Sequence, residues 1–420
     1  MSFIDDFTNK LYIYLTGKEN NKSNIIRIHT RKLQESGELS FPLKISNWCS
    51  LIGKTTHQND TIFNFLSEIE HNDANKLILA SQNWHLNIDK CDIIKDNVYI
   101  YLNRTRTFKT VIKSALLENT KTYGAVSTCK NLKFSVKCDD FNSDCDDIRL
   151  SELRLKLLTQ ISKNIIQFCD GIISETDTDF NIIFTVKSSN SSNKCLCGAV
   201  LNTEGVKDVV TTAEQFYKQR TLDMRLMAEH KYGLRITSQP GWTEFFKKLG
   251  DAAVTIELLR NKPNQTVTTD VNNEFLASRK GAAFILYNCA RLATLFKEFD
   301  KKVSRNVYPK LPELDEVDFG LLNEMEEWEL LYIHILQFPC VIKNCVKDVC
   351  RRKIYPNCVI SALSSMSLCF SVYYRRVKIL IEPRDHIYAR LHARIYLLKA
   401  LEQVMHNGLR LLAIEPVKQM

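Results

Sequence analysis

The chain has 420 residues, with 57 Lys+Arg against 48 Asp+Glu and a formal net charge of +9, a length that allows about two to four domains. Its 45% hydrophobic and 25% charged residues are globular proportions and exclude wholesale disorder. No apolar run reads as approaching the roughly 18 residues of a bilayer span, and Met1-Ser-Phe-Ile-Asp-Asp-Phe7 has two acids where a secretory leader has bases, so the expectation is a soluble, cytoplasmic protein with no membrane partner.

Residues 1–116 mix short helical and strand signals and read as an α+β domain. Val98-Tyr-Ile-Tyr-Leu102 predicts a strand and Val111-Ile-Lys-Ser-Ala-Leu-Leu117 a helix after it. Gly53-Lys-Thr-Thr56 imitates the end of a phosphate loop, but that motif needs a glycine five positions earlier, where Trp48 stands. From 120 to 270 strand and helix signals alternate, as in a reduced α/β domain. Leu132–Val136 and Phe180–Val186 predict strands. Between them Leu150, Leu153, Leu157, Ile161, Ile165 and Phe168 mark one apolar helix face. The polar stretches Asp139–Asp144 and Lys187–Lys194 read as exposed loops, and Asn264–Asn273 as a boundary.

From 274 to 420 the pattern is all-α, a helical bundle with short connections at Pro309, Pro312, Pro339 and Pro356. Leu321, Met325, Trp328, Tyr332 and Ile335 form one helical stripe, with Glu324, Glu326, Glu327 and Glu329 expected on a solvated face. Ile387, Leu391, Ile395, Leu398 and Met405 form another. The architecture expected is therefore mixed: α+β, then reduced α/β, then an all-α bundle.

Cysteine and glycine spacing limit the chemistry. The 14 Cys include no Cys-x-x-Cys pair, and neither Cys195-Leu-Cys197 nor the series Cys340, Cys345, Cys350, Cys358 has zinc-site spacing. The 13 Gly never form Gly-x-Gly, so neither a dinucleotide-binding turn nor the usual methyl-donor loop is present. No cofactor or metal is expected. The charge is uneven: residues 340–420 hold 14 Lys+Arg against 5 Asp+Glu, and the remainder balances at 43 of each sign. A concentrated basic segment favours a polyanion through counterion release, although a solvated helix surface explains most single Lys and Arg.

Within Gly281–Phe296, Ala282, Leu286, Cys289, Ala293 and Phe296 fall on a narrow inward stripe. Phe284, Tyr287 and Arg291 fall elsewhere, with Tyr287 and Arg291 stacked at i,i+4. A ring beside a guanidinium can stack a base and hold a phosphate. The same spacing also suits a core Tyr287 with Arg291 in an ordinary ion pair.

Tyr287-Asn-Cys-Ala-Arg291 resembles the Tyr-x-x-Ala-Arg helix of the DALR anticodon-binding domain of arginyl-tRNA synthetases. Phe370-Ser-Val-Tyr-Tyr374 resembles that family's Phe-x-x-Phe-Tyr helix. Ala389-Arg-Leu391, Gly408–Ile414 and the terminal Met420 resemble its closing helix. The tetrapeptide that names the domain is degraded here to Lys399-Ala-Leu-Glu402. The resemblance implies anticodon stem-loop contacts for Tyr287, Arg291, Tyr374 and Met420. Local charge adds Arg375, Arg376, Lys378, Arg390 and Arg394 as phosphate contacts.

A synthetase of this class also needs a His-x-Gly-His element, and none of the 9 His forms one. Ala125–Leu158 resembles the relevant strand–loop–helix, but Cys145-Asp-Asp-Ile-Arg149 occupies the place of the signature. Its acids would repel ATP phosphates. Gly198–Lys207 resembles the approach to the second signature, yet no Lys-Met-Ser-Lys-Ser follows. The resemblance from about residue 197 onward is to non-catalytic DALR-domain proteins. It implies recognition of arginine tRNAs and their delivery to a partner methyltransferase that forms 3-methylcytidine. Two alternatives stay open: a divergent synthetase that still activates arginine, and a protein-assembly module.

Overall fold

The structure is a computed structural model that describes residues 2–19, 23–53, 61–64, 73–118, 120–139, 148–187, 193–232, 241–270, 281–382 and 385–418. Its contacts divide into two compact units. One comprises 1–118, 311–337 and 389–397; the other comprises 119–310, 338–388 and 398–420.

The first unit is built on an antiparallel sheet of β1 (Arg27–Ile28), β2 (Leu39–Pro42), β3 (Ile88–Ile94) and β4 (Asn97–Leu102), in the order β1-β2-β4-β3. Along β4, Val98, Ile100 and Leu102 are buried while Tyr99 and Tyr101 are only partly so, the two-residue alternation of a strand with one covered face. The helix expected near Val111 spans Arg104–Lys113 and loosens into a π turn at Ser114–Glu118. Gly37 lies at φ 60°, so close to β4 that a Cβ would stand 2.3 Å from the Ile100 carbonyl oxygen.

That close approach carries the next residue, Glu38, into the interior. One Glu38 carboxylate oxygen accepts from the Trp328 indole N–H at 2.8 Å and the other from the Leu102 amide at 2.8 Å. The Tyr332 hydroxyl donates to the Glu38 carbonyl at 2.9 Å. Burial pushes the Glu38 carboxyl up, against these donors.

The Glu-rich stripe differs from its expectation. Trp328, Tyr332 and Ile335 are buried, but Met325 is exposed and Glu326 and Glu327 are buried. Glu327 is drawn inward by its partners, one of them the Glu324 amide, from which it accepts at 3.0 Å. The short helix that carries it, Met325–Glu329, passes into a π-helix at Leu330–Leu336. Glu327 is fully buried and pairs with Arg394, Arg394 Nε to Glu327 Oε1 at 2.7 Å.

The second unit contains a parallel sheet of β5 (Lys133–Cys138), β6 (Ile172–Ile173), β7 (Phe180–Thr185) and β8 (Lys194–Leu196), in the order β6-β5-β7-β8. The helix expected after β5 spans Leu150–Phe168, with Leu155, Leu158, Ile161 and Ile165 buried. The same helix buries Arg154. Its guanidinium donates to the carbonyls of Gly198, Gln265 (2.7 Å) and Lys262 (3.4 Å). Three loop carbonyls thus take the place of a carboxylate. A short parallel pair, β9 (Val200–Leu201) with β10 (Val267–Thr268), is joined to this knot.

Helices complete the unit: Ala213–Tyr232, Trp242–Leu259, Ala282–Ser304, Phe338–Val346, Asn357–Arg376 and the end of Asp385–Leu411. By length and composition alone Asn357–Arg376 could cross a membrane, contrary to the expectation from the sequence. One face packs inward: Val359, Ile360, Leu363, Met366, Phe370 and Tyr373 are buried, whereas Leu368 and Val372 are exposed. Several sequence features lie outside the described residues: Lys54–Thr56, Cys145–Asp147 of the degenerate signature, most of the Asp139–Asp144 and Lys187–Lys194 loops, 271–273 of the expected boundary, and Met420.

Candidate nucleic-acid interface

The site rests on two helices of the second unit. In the 282–304 helix, Ala282, Leu286 and Cys289 are buried, while Phe284, Tyr287 and Arg291 are partly exposed on the neighbouring face. Asn288, fully buried behind them, donates through its amide to the Phe284 carbonyl at 2.8 Å. The 357–376 helix buries Phe370 and Tyr373 and leaves Tyr374 38% exposed. Phe370 meets the Tyr374 ring edge-on at 5.7 Å and sets its tilt.

These elements put Arg291 between two rings. Its guanidinium carbon lies 4.4 Å from the Tyr287 ring centre and 4.7 Å from that of Tyr374. One guanidinium nitrogen donates to the Tyr287 hydroxyl at 2.6 Å, and the other reaches Asn288 Oδ1 at 3.5 Å. Among the described residues no carboxylate pairs with Arg291. Its charge is therefore held by π faces and remains available to an anion. Stacked rings with an uncompensated guanidinium suit a splayed base and its phosphate.

The other sequence candidates divide. Arg375, Arg376 and Lys378 are exposed and follow Tyr374 directly. They therefore extend the positive surface from the edge of the ring pair. Met420 lies outside the described residues, but the segment before it is pinned, with the Cys289 thiol 3.5 Å from the Val417 carbonyl oxygen. Arg390 and Arg394 belong to the first unit. Arg390 is exposed. Arg394 is a correction: it is 8% exposed and committed to Glu327, so it offers no charge to RNA. Helical spacing placed it beside the apolar stripe but could not reveal a buried partner far away in the chain. Asn288, which orders the guanidinium, was missed because a buried Asn inside a helix has no distinguishing spacing.

The degraded tetrapeptide Lys399-Ala-Leu-Glu402 has a measurable consequence. Ala400 and Leu401 are fully buried, and burial pushes the Glu402 carboxyl up to about 7 from its ordinary 4.5. His406 Nε2 stands 4.0 Å away, but burial and Arg410 hold that imidazole down at about 4, so it is neutral where Glu402 ionises. A raised acid keeps its proton longer in the folded state. Its contribution is therefore full below about pH 4.5 and is lost as pH rises through about 7. Glu402→Gln is expected to be more stable than the wild type at pH 8 by about 1–2 kcal/mol, after discounting for partial exposure. The advantage should vanish near pH 4.5. Urea unfolding at both pH values measures it, and an equal difference at both would contradict the assignment.

The profile of the DALR anticodon binding domain family matches residues 285–420. The chain is 32% identical over 235 residues to the mouse (Mus musculus) DALR anticodon-binding domain-containing protein 3, a match covering 55% of this chain and 44% of that protein. To the zebrafish (Danio rerio) protein of the same name it is 33% identical over 234 residues, 54% of this chain and 41% of the relative. The matched region is thus less than half the length of these relatives. Among solved structures, the arginyl-tRNA synthetase of Plasmodium falciparum superposes with a TM-score of 0.66 at 9% identity, covering 100% of each chain. The chain has an arginyl-tRNA synthetase-like fold, and its C-terminal third is similar to an anticodon-binding domain.

Proposed function

We propose that this chain is a non-catalytic tRNA-binding adaptor, acting in the cytoplasm, that recognises arginine tRNAs and delivers them to a partner methyltransferase for 3-methylcytidine formation in the anticodon loop. The observation that carries the reading is Arg291, held between the rings of Tyr287 and Tyr374 with no carboxylate partner among the described residues, in the segment that matches an anticodon-binding domain. The rings offer stacking to unpaired bases, and Arg375, Arg376 and Lys378 offer phosphate contacts that orient the strand. The sequence contains neither His-x-Gly-His nor Gly-x-Gly. This supports a division of labour in which the partner supplies both methyl donor and chemistry.

The test uses the purified full chain, transcripts of arginine and unrelated tRNAs, and the partner recovered with the chain from cells. The expected result is preferential binding of arginine tRNAs, with affinity falling linearly on a logarithmic salt scale. A methyltransferase should co-purify, and 3-methylcytidine in those tRNAs should fall when the chain is removed. Equal affinity for unrelated tRNAs at physiological salt would overturn the specificity. Arginine-dependent pyrophosphate exchange would overturn the non-catalytic reading.

A further inference from the structure

A second electropositive feature lies in the same unit, on different residues from the ring–guanidinium site. The outer edge of β8 and the turn after the 338–346 helix enclose a cavity of about 550 Å³. Lys194, Lys262, Lys347, Arg351 and Lys353 line it together with Tyr355, and among the described residues no Asp or Glu does so. Lys194 is paired, with Asp139 at 3.3 Å. Among the described residues the other four cations have no carboxylate partner. The nearby Asp348 is engaged by the Tyr355 hydroxyl at 3.0 Å.

The backbone holds these cations together instead of letting them spread. Around the turn, Arg351 and Lys353 both donate their amides to the Asp348 carbonyl, at 2.8 and 3.1 Å, and Arg352 donates to Val349 at 2.7 Å. Arg352 itself sits in the left-handed region at φ 62°, a conformation that a side chain of its kind rarely adopts. Its carbonyl accepts from the Cys195 thiol of β8 at 2.7 Å. The turn bearing Lys262 is held by Arg154, a buried cation that also has no carboxylate partner among the described residues. Lys347 leans over the Tyr355 ring at 5.6 Å. The Cys358 thiol that also lines the pocket is drawn down to about 7, first by its hydrogen bond with Cys345 and then by Lys347 and Lys262. Like charges fixed in a concave wall repel one another, and a multiply charged anion relieves that repulsion.

We infer that this pocket is a phosphate-binding site, taking two or more neighbouring phosphates from an RNA backbone or from a nucleoside polyphosphate. The RNA source rests on the tRNA reading above; the nucleotide source does not. The test compares the full-length wild-type chain with a variant carrying Lys347→Glu, Arg351→Glu and Lys353→Glu, all at exposed positions. A milder Lys347→Gln, Lys353→Gln variant is carried in parallel, and an unchanged Tm shows that each is folded. The probes are a labelled arginine tRNA and, separately, ATP.

If the source is RNA, the triple variant loses at least tenfold in tRNA affinity. Its salt slope also becomes shallower by about 2–3 units, near 0.9 for each phosphate contact removed. If the source is a nucleotide, wild-type ATP binding disappears in the triple variant while tRNA affinity stays within twofold. Both affinities within twofold of wild type would overturn the site. So would a wild-type chain that binds neither probe. A wild-type chain that binds ATP through this pocket but no tRNA would sink the adaptor reading and leave the pocket standing.

Discussion

Glu327→Ala is expected to lower the stability of the chain by about 3–5 kcal/mol, the cost of stranding a buried charge. Glu327 is fully buried, and its Oε1 holds the Arg394 guanidinium at 2.7 Å. Its Oε2 caps the preceding turn by accepting from the Glu324 amide at 3.0 Å. Alanine removes both oxygens and leaves Arg394 buried without an anion. Urea unfolding measures the loss, and a midpoint within error of the wild type would show that Arg394 escapes to water. The companion variant Arg394→Met removes the other partner while keeping apolar bulk. It should destabilise the chain by a similar route yet leave the tRNA affinity of the folded protein within twofold. A large affinity loss in stable Arg394→Met protein would restore this residue to the RNA surface, where its charge and helical position alone had put it.

Arg291→Ala is expected to weaken arginine-tRNA binding by roughly 1–3 kcal/mol, about 5- to 150-fold, with a much smaller effect on stability. The residue is partly exposed and makes no ion pair among the described residues, so its removal strands no buried carboxylate there. What it removes is the charged plate between Tyr287 and Tyr374. Arg291→Lys should recover little, because an ammonium lacks the planar surface that fits between two rings. Fluorescence anisotropy with labelled tRNA reads both variants. Full rescue by lysine would mean that only the charge matters and that ring stacking contributes nothing.

Periodicity made the regular parts of the fold legible. The helix Leu150–Phe168 begins and ends where its apolar face does, and β4 and β7 form close to where alternating or continuous apolar residues placed them. The inward stripe of the 282–304 helix was readable for the same reason at Ala282, Leu286 and Cys289, though Ala293 and Phe296 are only half-buried, and so was the separation of Tyr287 and Arg291 from it. Three features were hidden. Glu327 is buried against a partner distant in the chain, Arg394, which the spacing of its own helix does not reveal, so a solvated face was expected for it. The partnership of Arg291 with Tyr374 joins two helices distant in the chain, and single-helix spacing carries no information about it. The helix Asn357–Arg376 has the length and apolar composition of a membrane span, and only its packing, with Val359, Leu363, Met366 and Phe370 buried, tells the two apart.

The wide turn at Leu330–Leu336 also constrains how this stretch can vary in length. Deleting one residue there would let the backbone relax to ordinary helical pitch. It would then rotate the rest of this helix, Tyr332 included, around its axis relative to Trp328, whose indole is moored to Glu38. Relatives that are one residue shorter across this stretch should therefore keep only one of the two moorings to this glutamate, that of Trp328 or that of Tyr332, because ordinary pitch cannot present both.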